Sequence, residues 1–334
     1  MSKLDITIHY GAPTKPTILL IHGLGMDKNI WLNPYDSRIL AGRFPITILL
    51  NEKPDLIRLE PDKNFNLSKL SIGKKPEELR TIYHDLKEED FSIITWSQKR
   101  PSEPIEKVVA ELEEIINETK GISKNGIIIV AHSRGGIIAR KYLTKEDKNI
   151  RGLITLSCPH KGSSLANISK HLSPIFSFLK PFSSLLNKND SKTTIKRLID
   201  FLKSDALKEL LQESPFFKSL QDVPHPWIKY ISVGGTNPSL IKIYKYKIIK
   251  DSIEKFAAPE EFFSIPDGLK NIIPSNIFPE EWKHGKGDGL VTIESSRFPW
   301  DCEHTNFNVN HAEILFNQNV RRFIIDNIKK ISNN

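Results

Sequence analysis

Cysteine is nearly missing: Cys158 and Cys302 are the two thiols in a chain of 334 residues. So small a number excludes a disulfide framework as the basis of the fold, and in a reducing cytosol both are expected to be free. Sequence spacing does not show whether folding brings them together. No apolar run approaches the ~20 residues that a membrane-spanning helix requires. The N-terminal stretch from Met1 to Tyr10 alternates in polarity and carries charge where a secretory signal has its apolar segment. No export signal is therefore expected, and the cytosol is the default compartment. Zinc-type ligand spacing, aromatic RNA-binding motifs and a recognition-helix signature are all missing, so nucleic acid is not an expected partner. Internal repeats and low-complexity tracts are missing as well.

What is present describes an ordinary globular protein: 39% hydrophobic and 26% charged residues. The length suits one α/β domain carrying an insertion. A formal charge of +8 permits peripheral contact with an anionic membrane, but the lysines are scattered and read as a solvated surface.

The most informative stretch runs from Gly126 to Leu143. Ile127 to Val130 are four β-branched residues without alternation, as expected for a strand buried on both faces. After Ser133 the spacing becomes helical, through Ile137, Ile138, Tyr142 and Leu143. A serine at a strand-to-helix corner, with small residues two before it (Ala131) and two after it (Gly135), is the physical content of a nucleophile elbow. The corner strains the backbone, lifts the hydroxyl above the sheet edge, and leaves the Arg134 amide at a helix start to bind an oxyanion. The competing reading is a Gly-rich turn whose serine caps the helix.

Upstream, Leu4 to His9 alternates, Gly11 to Pro16 breaks the run, and Thr17 to Ile21 reads as a buried strand, a hairpin-like pattern. That strand ends in His22-Gly23-Leu24-Gly25. If it lies beside the Ser133 strand, the Leu24 amide shares the oxyanion with that of Arg134. A strand is expected at Ile46 to Leu50, a short helix at Pro76 to Leu86, and a further strand at Phe91 to Trp96. Pro104 to Thr119 carries apolar residues at periods of three and four, as an amphipathic helix does. Gly152 to Leu156 and Trp227 to Val233 read as buried strands, and Val320 to Ile331 as a closing helix. Alternating strand and helix imply a mostly parallel, doubly wound sheet. Apolar stripes between 164 and 221 suggest a helical lid over the carboxyl edge, the alternative being helices packed on the core. The expected division is thus a core of 1–163 and 222–334 with a lid of 164–221. The stretch holding Pro259, Pro266, Pro274 and Pro279 is poorly patterned, and its lysines, Lys242, Lys245, Lys247 and Lys250, read as solvated.

His22-Gly-Leu-Gly, Ala131-His-Ser-Arg-Gly-Gly, Cys158-Pro-His-Lys-Gly-Ser, Gly287-Asp-Gly-Leu-Val with Ser295-Ser296, and Asn310-His311 occur in the order found in α/β-hydrolase lipases. The chain resembles the bacterial triacylglycerol lipases and their esterase relatives, and Ser214 to Leu220 resembles a segment that follows their lid. The resemblance implies an α/β-hydrolase fold with Ser133 as nucleophile, Asp288 as acid and His311 as base, in the chain order of that fold. It implies no cofactor. Some members hold a structural calcium near the base, and Glu313 and Asn317 fall where its ligands would be. An imidazole must take the serine proton during attack, and a carboxylate must hold the imidazole in the right tautomer. His304 competes with His311 but lies among Asp301, Cys302 and Glu303, where a solvated loop is expected. His22 is expected to order the oxyanion loop, and His132 and His160 to be packing residues. The implied function is carboxylic-ester hydrolysis on a lipid or small acyl-ester substrate. The alternatives are acyl transfer on the same fold and a non-catalytic, membrane-associated binding protein.

Overall fold

The structure is a computed structural model. The structure describes residues 4–39, 44–50, 52–60, 65–66, 70–74, 76–99, 103–164, 204–250, 254–270, 273–276 and 278–333. Its longer strands are β1 (Asp5–His9), β2 (Thr17–Ile21), β3 (Ile93–Ser97), β4 (Ile127–His132), β5 (Ile150–Leu156), β6 (Lys229–Gly235), β7 (Ile241–Lys250), β8 (Lys255–Ile265) and β9 (Glu303–Phe307). The longer helices are α1 (Ile82–Glu88), α2 (Ile105–Glu118), α3 (Arg134–Tyr142) and α4 (Gln318–Asn333).

Seven strands form the main sheet in the order β1-β3-β2-β4-β5-β6-β9. β1 runs antiparallel to β3, and every other pairing is parallel. β1 therefore pairs with β3 and not with β2, which corrects the hairpin-like reading of residues 4–21. Both faces of the central strands are covered, which is why their sequences are unbroken aliphatic runs. Leu19, Ile21, Ile127, Ile129 and Ala131 join α2 and α3 in one core. Ile18, Leu20, Ile128 and Val130 join α1 and α4 in the other. α2 buries the periodic set Ile105, Val108, Val109, Leu112, Ile115 and Ile116. The doubly wound α/β sheet expected from the sequence is what the chain forms.

Strand order reverses between β2 and β4: from β2 the chain moves to β3 on one side, and later strands build outward from β4 on the other. In open α/β sheets, ligands bind beyond the carboxyl ends of the strands at such a switch point. The segments that leave β2 and β4 there are His22-Gly23-Leu24 and Ser133.

Three further expectations change. Ile46–Leu49 is a 3₁₀ helix, not a strand. The poorly patterned stretch contains a long antiparallel ribbon, β7 and β8, flanked by the two-residue strands Ile57–Arg58 and Ser71–Ile72. Residues 303–307, expected to be loop, form the edge strand β9. Most of the predicted lid, 165–203, lies outside the described residues. Beyond them, the segment from residue 204 packs on the core, burying Leu210 and Phe216 against the α2–α3 side. The two cysteines are free thiols, Cys158 buried and Cys302 half-buried. No described helix is long and apolar enough to cross a membrane.

Candidate active site

Ser133 stands between β4 and α3 with φ 52° and ψ −129°. This is a strained conformation for a residue with a Cβ, of a kind that persists only where the surroundings over-determine it. Two features impose it. The Ser133 amide donates to the Leu156 carbonyl of β5 at 2.8 Å, and its carbonyl accepts from the Gly136 amide at 3.0 Å. The side chain makes no capping hydrogen bond to α3, so the helix-cap reading does not hold.

The hydroxyl instead meets His311. Ser133 Oγ lies 3.0 Å from His311 Nε2, and His311 Nδ1 lies 3.0 Å from Asp288 Oδ2. These three residues are separated by 178 and 23 positions in sequence, yet the fold brings them into one line. Asp288 Oδ1 accepts from the Leu290 amide at 2.9 Å and the Val291 amide at 2.8 Å. The His311 amide donates to the Asp288 carbonyl at 2.9 Å, so Asp288 and His311 are joined through backbone as well as side chain. Burial pushes the Asp288 carboxyl up, but His311 and the amide donors outweigh it and hold it below its ordinary value. A carboxylate there fixes Nδ1 as the protonated ring nitrogen of His311 and leaves Nε2 to accept from the serine.

Asn310 is a contributor to this geometry whose individual role the sequence did not disclose. It is fully buried. Its Nδ2 donates to the Leu49 and Ser239 carbonyls at 2.7 and 2.8 Å, and its Oδ1 accepts from the Ala312 and Glu313 amides at 2.9 Å each. All its hydrogen-bonding capacity is spent on pinning the loop that carries His311. The Asn310 amide in turn donates to Glu313 Oε2 at 2.9 Å. Asn317 Oδ1 accepts from the Asn319 and Val320 amides at the start of α4. Both side chains are thus engaged with local backbone. Among the described residues no group of three acidic, histidine or cysteine side chains is arranged to hold a metal.

The loop after β2 comes directly over the serine. A Cβ built on Gly23 would meet Ser133 Cβ at 3.0 Å and His132 Nδ1 at 2.9 Å, so only glycine allows this approach. Leu24 follows it immediately. On the other side, Arg134 is wholly buried, donates to the Glu103 carbonyl, and lies 3.6 Å from Glu209 Oε2. Burial lowers its guanidinium to about 10. Glu209 also accepts from the Ile105 amide at 3.0 Å, so this pair ties the elbow to the start of α2 and to the segment beginning at 204.

The other histidines singled out in the sequence each have a structural partner. His22 Nδ1 donates to the Gly23 carbonyl at 2.9 Å, and its Nε2 accepts from the Gln98 amide at 3.3 Å, which braces the Gly23 loop. His132 Nε2 donates to the His311 carbonyl at 3.0 Å. His160 packs on Phe298 with ring centroids 3.9 Å apart and lies 2.9 Å from Thr155 Oγ1. Its amide and that of Lys161 donate to Ser295, so the Cys158 to Ser163 loop is anchored to the short helix at Ile293–Ser296. His304 lies in β9, bonded to Ser232 and Asn306, and not in a solvated loop; it is His311 that reaches Ser133.

Burial depresses the imidazoles of His22 to about 4 and of His132 to about 3. Unfolded, each titrates near 6.5. Below that pH the unfolded chain binds more protons than the folded one, so stability falls as pH drops. We expect denaturant midpoints to hold steady above pH ~6.5 and fall between pH ~6.5 and ~4, by up to about 1.4 kcal/mol per pH unit for each of the two histidines. A flat midpoint from pH 7 to 5 would show that these rings are not buried neutral.

Comparison with known proteins agrees with this architecture. The model of the PGAP1-like alpha/beta domain matches residues 66–272, well over half of the chain and including Ser133. This chain belongs to the PGAP1-like alpha/beta domain family. The match ends before Asp288 and His311, which therefore rest on the geometry above. Among solved structures, this member of the PGAP1-like family is similar to the mature form of the Bacillus licheniformis lipase BlEst2. The TM-score is 0.53 at 17% identity, over 97% of each chain, which shows the shared α/β-hydrolase fold. Among curated proteins it is similar to Protein SERAC1 of Mus musculus, 27% identical over 63% of this chain, and of Homo sapiens, 26% identical over 63%. The aligned region spans 28% of the length of either relative.

Proposed function

We propose that this chain is a serine carboxylic-ester hydrolase. The observation that carries the reading is the unbroken line from Asp288 Oδ2 through His311 to Ser133 Oγ, with both contacts at 3.0 Å and the serine on a strained elbow. In this mechanism His311 Nε2 takes the hydroxyl proton as Ser133 Oγ attacks the ester carbonyl carbon. Charge then develops on the former carbonyl oxygen, and the amides of Leu24 and Arg134 are its proposed donors. As the tetrahedral species collapses, the bond to the leaving alcohol breaks and the His311 proton passes to that oxygen. An acyl group is left on Ser133. A water molecule, deprotonated by His311, attacks the acyl carbon and releases a carboxylic acid and free serine. Asp288 holds the Nδ1–H tautomer throughout and stabilises the transient imidazolium. The fold shared with a bacterial lipase supports an acyl ester as substrate.

A fluorophosphonate probe is the direct test. We expect one labelled peptide, mapping to Ser133, with turnover of a short-chain aryl ester reduced on the order of 10⁴- to 10⁶-fold in Ser133→Ala while the thermal melt is preserved. Labelling at another residue, or turnover that survives the substitution, would sink the assignment. Including a lipid alcohol alongside water in the assay separates hydrolysis from acyl transfer by product.

A further inference from the structure

Large apolar side chains are expected to be buried unless a partner covers them, and clustered exceptions mark interaction surfaces. The exposed ones here are clustered. Leu56, Ile57, Ile248, Ile249 and Phe262 are 52%, 37%, 41%, 43% and 52% exposed, and all belong to the small sheet around the β7–β8 ribbon or adjoin it. Tyr10 and Val223 lie elsewhere.

Their arrangement identifies what covers them. Ile248 pairs with Ala257 and Ile249 with Phe256, while Ile57 extends the Ile248–Ala257 row. Successive strand residues point to opposite faces, so Ile248 and Ile249 expose apolar surface on both sides of the ribbon. A flat protein partner would bury one face and leave the other wet. Immersion in a non-aqueous layer covers both. Cations flank the same residues: Lys250 shares the Ile248 face and Lys247 the Ile249 face, with Lys255 opposite Lys250. Among the described residues, Lys242 and Arg58 pair with Glu261 and Glu254, whereas Lys247, Lys250 and Lys255 form no ion pair. Apolar residues flanked by lysines that form no ion pair among the described residues match the depth profile of an anionic bilayer, with acyl chains below and phosphate headgroups at the rim.

We propose that the outer end of the β7–β8 ribbon, through Ile57, Ile248, Ile249 and Lys247, Lys250 and Lys255, docks this protein on a bilayer carrying anionic lipid. The root of the ribbon is joined to the candidate active site. Leu240, just before β7, donates to Ile265 at the end of β8 at 2.7 Å, and the Ser239 carbonyl accepts from Asn310 beside His311. Docking therefore tethers the His311 loop to a bilayer through the length of the ribbon. The docking itself goes beyond the hydrolase reading and does not depend on it.

Vesicle co-sedimentation of the full chain tests this, with phosphatidylcholine vesicles prepared with and without phosphatidylglycerol. We expect the protein to bind the phosphatidylglycerol vesicles and to be released at high salt as the headgroup attraction is screened. Lys247→Glu with Lys250→Glu should weaken that binding on the order of 30-fold or more. Ile248→Ser with Ile249→Ser should weaken it on the order of tenfold or more. All these side chains are exposed, so both variants should keep the wild-type melt and hydrolyse a monomeric aryl ester at the wild-type rate. Ser133→Ala should bind vesicles as the wild type does, which separates docking from chemistry. Three results would overturn the proposal: failure of the wild type to sediment with anionic vesicles, ribbon variants that both bind as tightly as the wild type, or a solution dimer that the isoleucine variant dissociates. The last would identify a second copy of the chain as the partner.

Discussion

Asp288→Asn is expected to lower kcat for an aryl ester by about 10⁴-fold without disturbing the fold. The size of the effect follows from the way the acid is held. Asp288 Oδ1 accepts from the amides of Leu290 and Val291, while Oδ2 faces His311 Nδ1. An asparagine has one acceptor and one donor end, and two backbone donors already require the acceptor. Its NH₂ must then point at His311, where it donates to Nδ1. The ring is driven to the tautomer that carries its proton on Nε2, the nitrogen that has to receive the serine proton. Steady-state kinetics with the substitution, together with the pattern of slow fluorophosphonate labelling, checks this. Retention of more than about a tenth of wild-type kcat would mean that the carboxylate does not set the tautomer.

Gly135→Val is expected to destabilise the protein by about 3 kcal/mol or more, or to prevent its accumulation as folded protein. A Cβ at Gly135 would lie 2.8 Å from the Ile21 carbonyl oxygen and 2.9 Å from that of His22. Both are backbone atoms at the end of β2, which is fixed on two sides by β3 and β4. Relief by side-chain rotation is therefore closed, and the α3 start or the Gly23 loop must shift. Either movement displaces the Leu24 amide from Ser133, so any folded fraction should also lose esterase activity. Gly121 supplies the control, because a Cβ there meets nothing within 4 Å and Gly121→Ala should leave the denaturant midpoint within about 0.5 kcal/mol. Equal midpoints for Gly135→Val and the wild type would show that the elbow can separate from β2.

Vesicle docking and hydrolysis would together describe a protein that works on acyl esters where they are concentrated. The ribbon and the elbow test independently, since one is read by binding and the other by covalent labelling.

How legible each part was from the sequence depended on burial. β2 and β4 were readable because both faces of a central strand are covered, which demands an uninterrupted aliphatic run such as Thr17 to Ile21. α2 was readable because one face meets the sheet and the other meets water. The ribbon was not, because lysines and isoleucines sit on both of its faces and leave no alternation to detect. β9 escaped for a related reason: as an edge strand it has one neighbour, β6, and its residues are mostly half-buried and polar. Ile46–Leu49, apolar and β-branched, satisfies a strand pattern, yet it turns as 3₁₀ with Ile46 buried against the α1 and α4 side of the sheet.

The sequence by itself determined the doubly wound class and the elbow at Ser133, and the resemblance to lipases supplied the order of the proposed nucleophile, acid and base. The first two are local: a change of hydrophobic period and a small residue two positions away. Only the tertiary structure decided that β1 lies against β3, that Gly23 roofs Ser133, that His311 and not His304 reaches the hydroxyl, and that Asn310 holds it there. Those facts depend on contacts between residues more than a hundred positions apart in most cases. Such contacts are set by packing and by the pairing of strands across the sheet, and no periodicity in the neighbouring sequence encodes them.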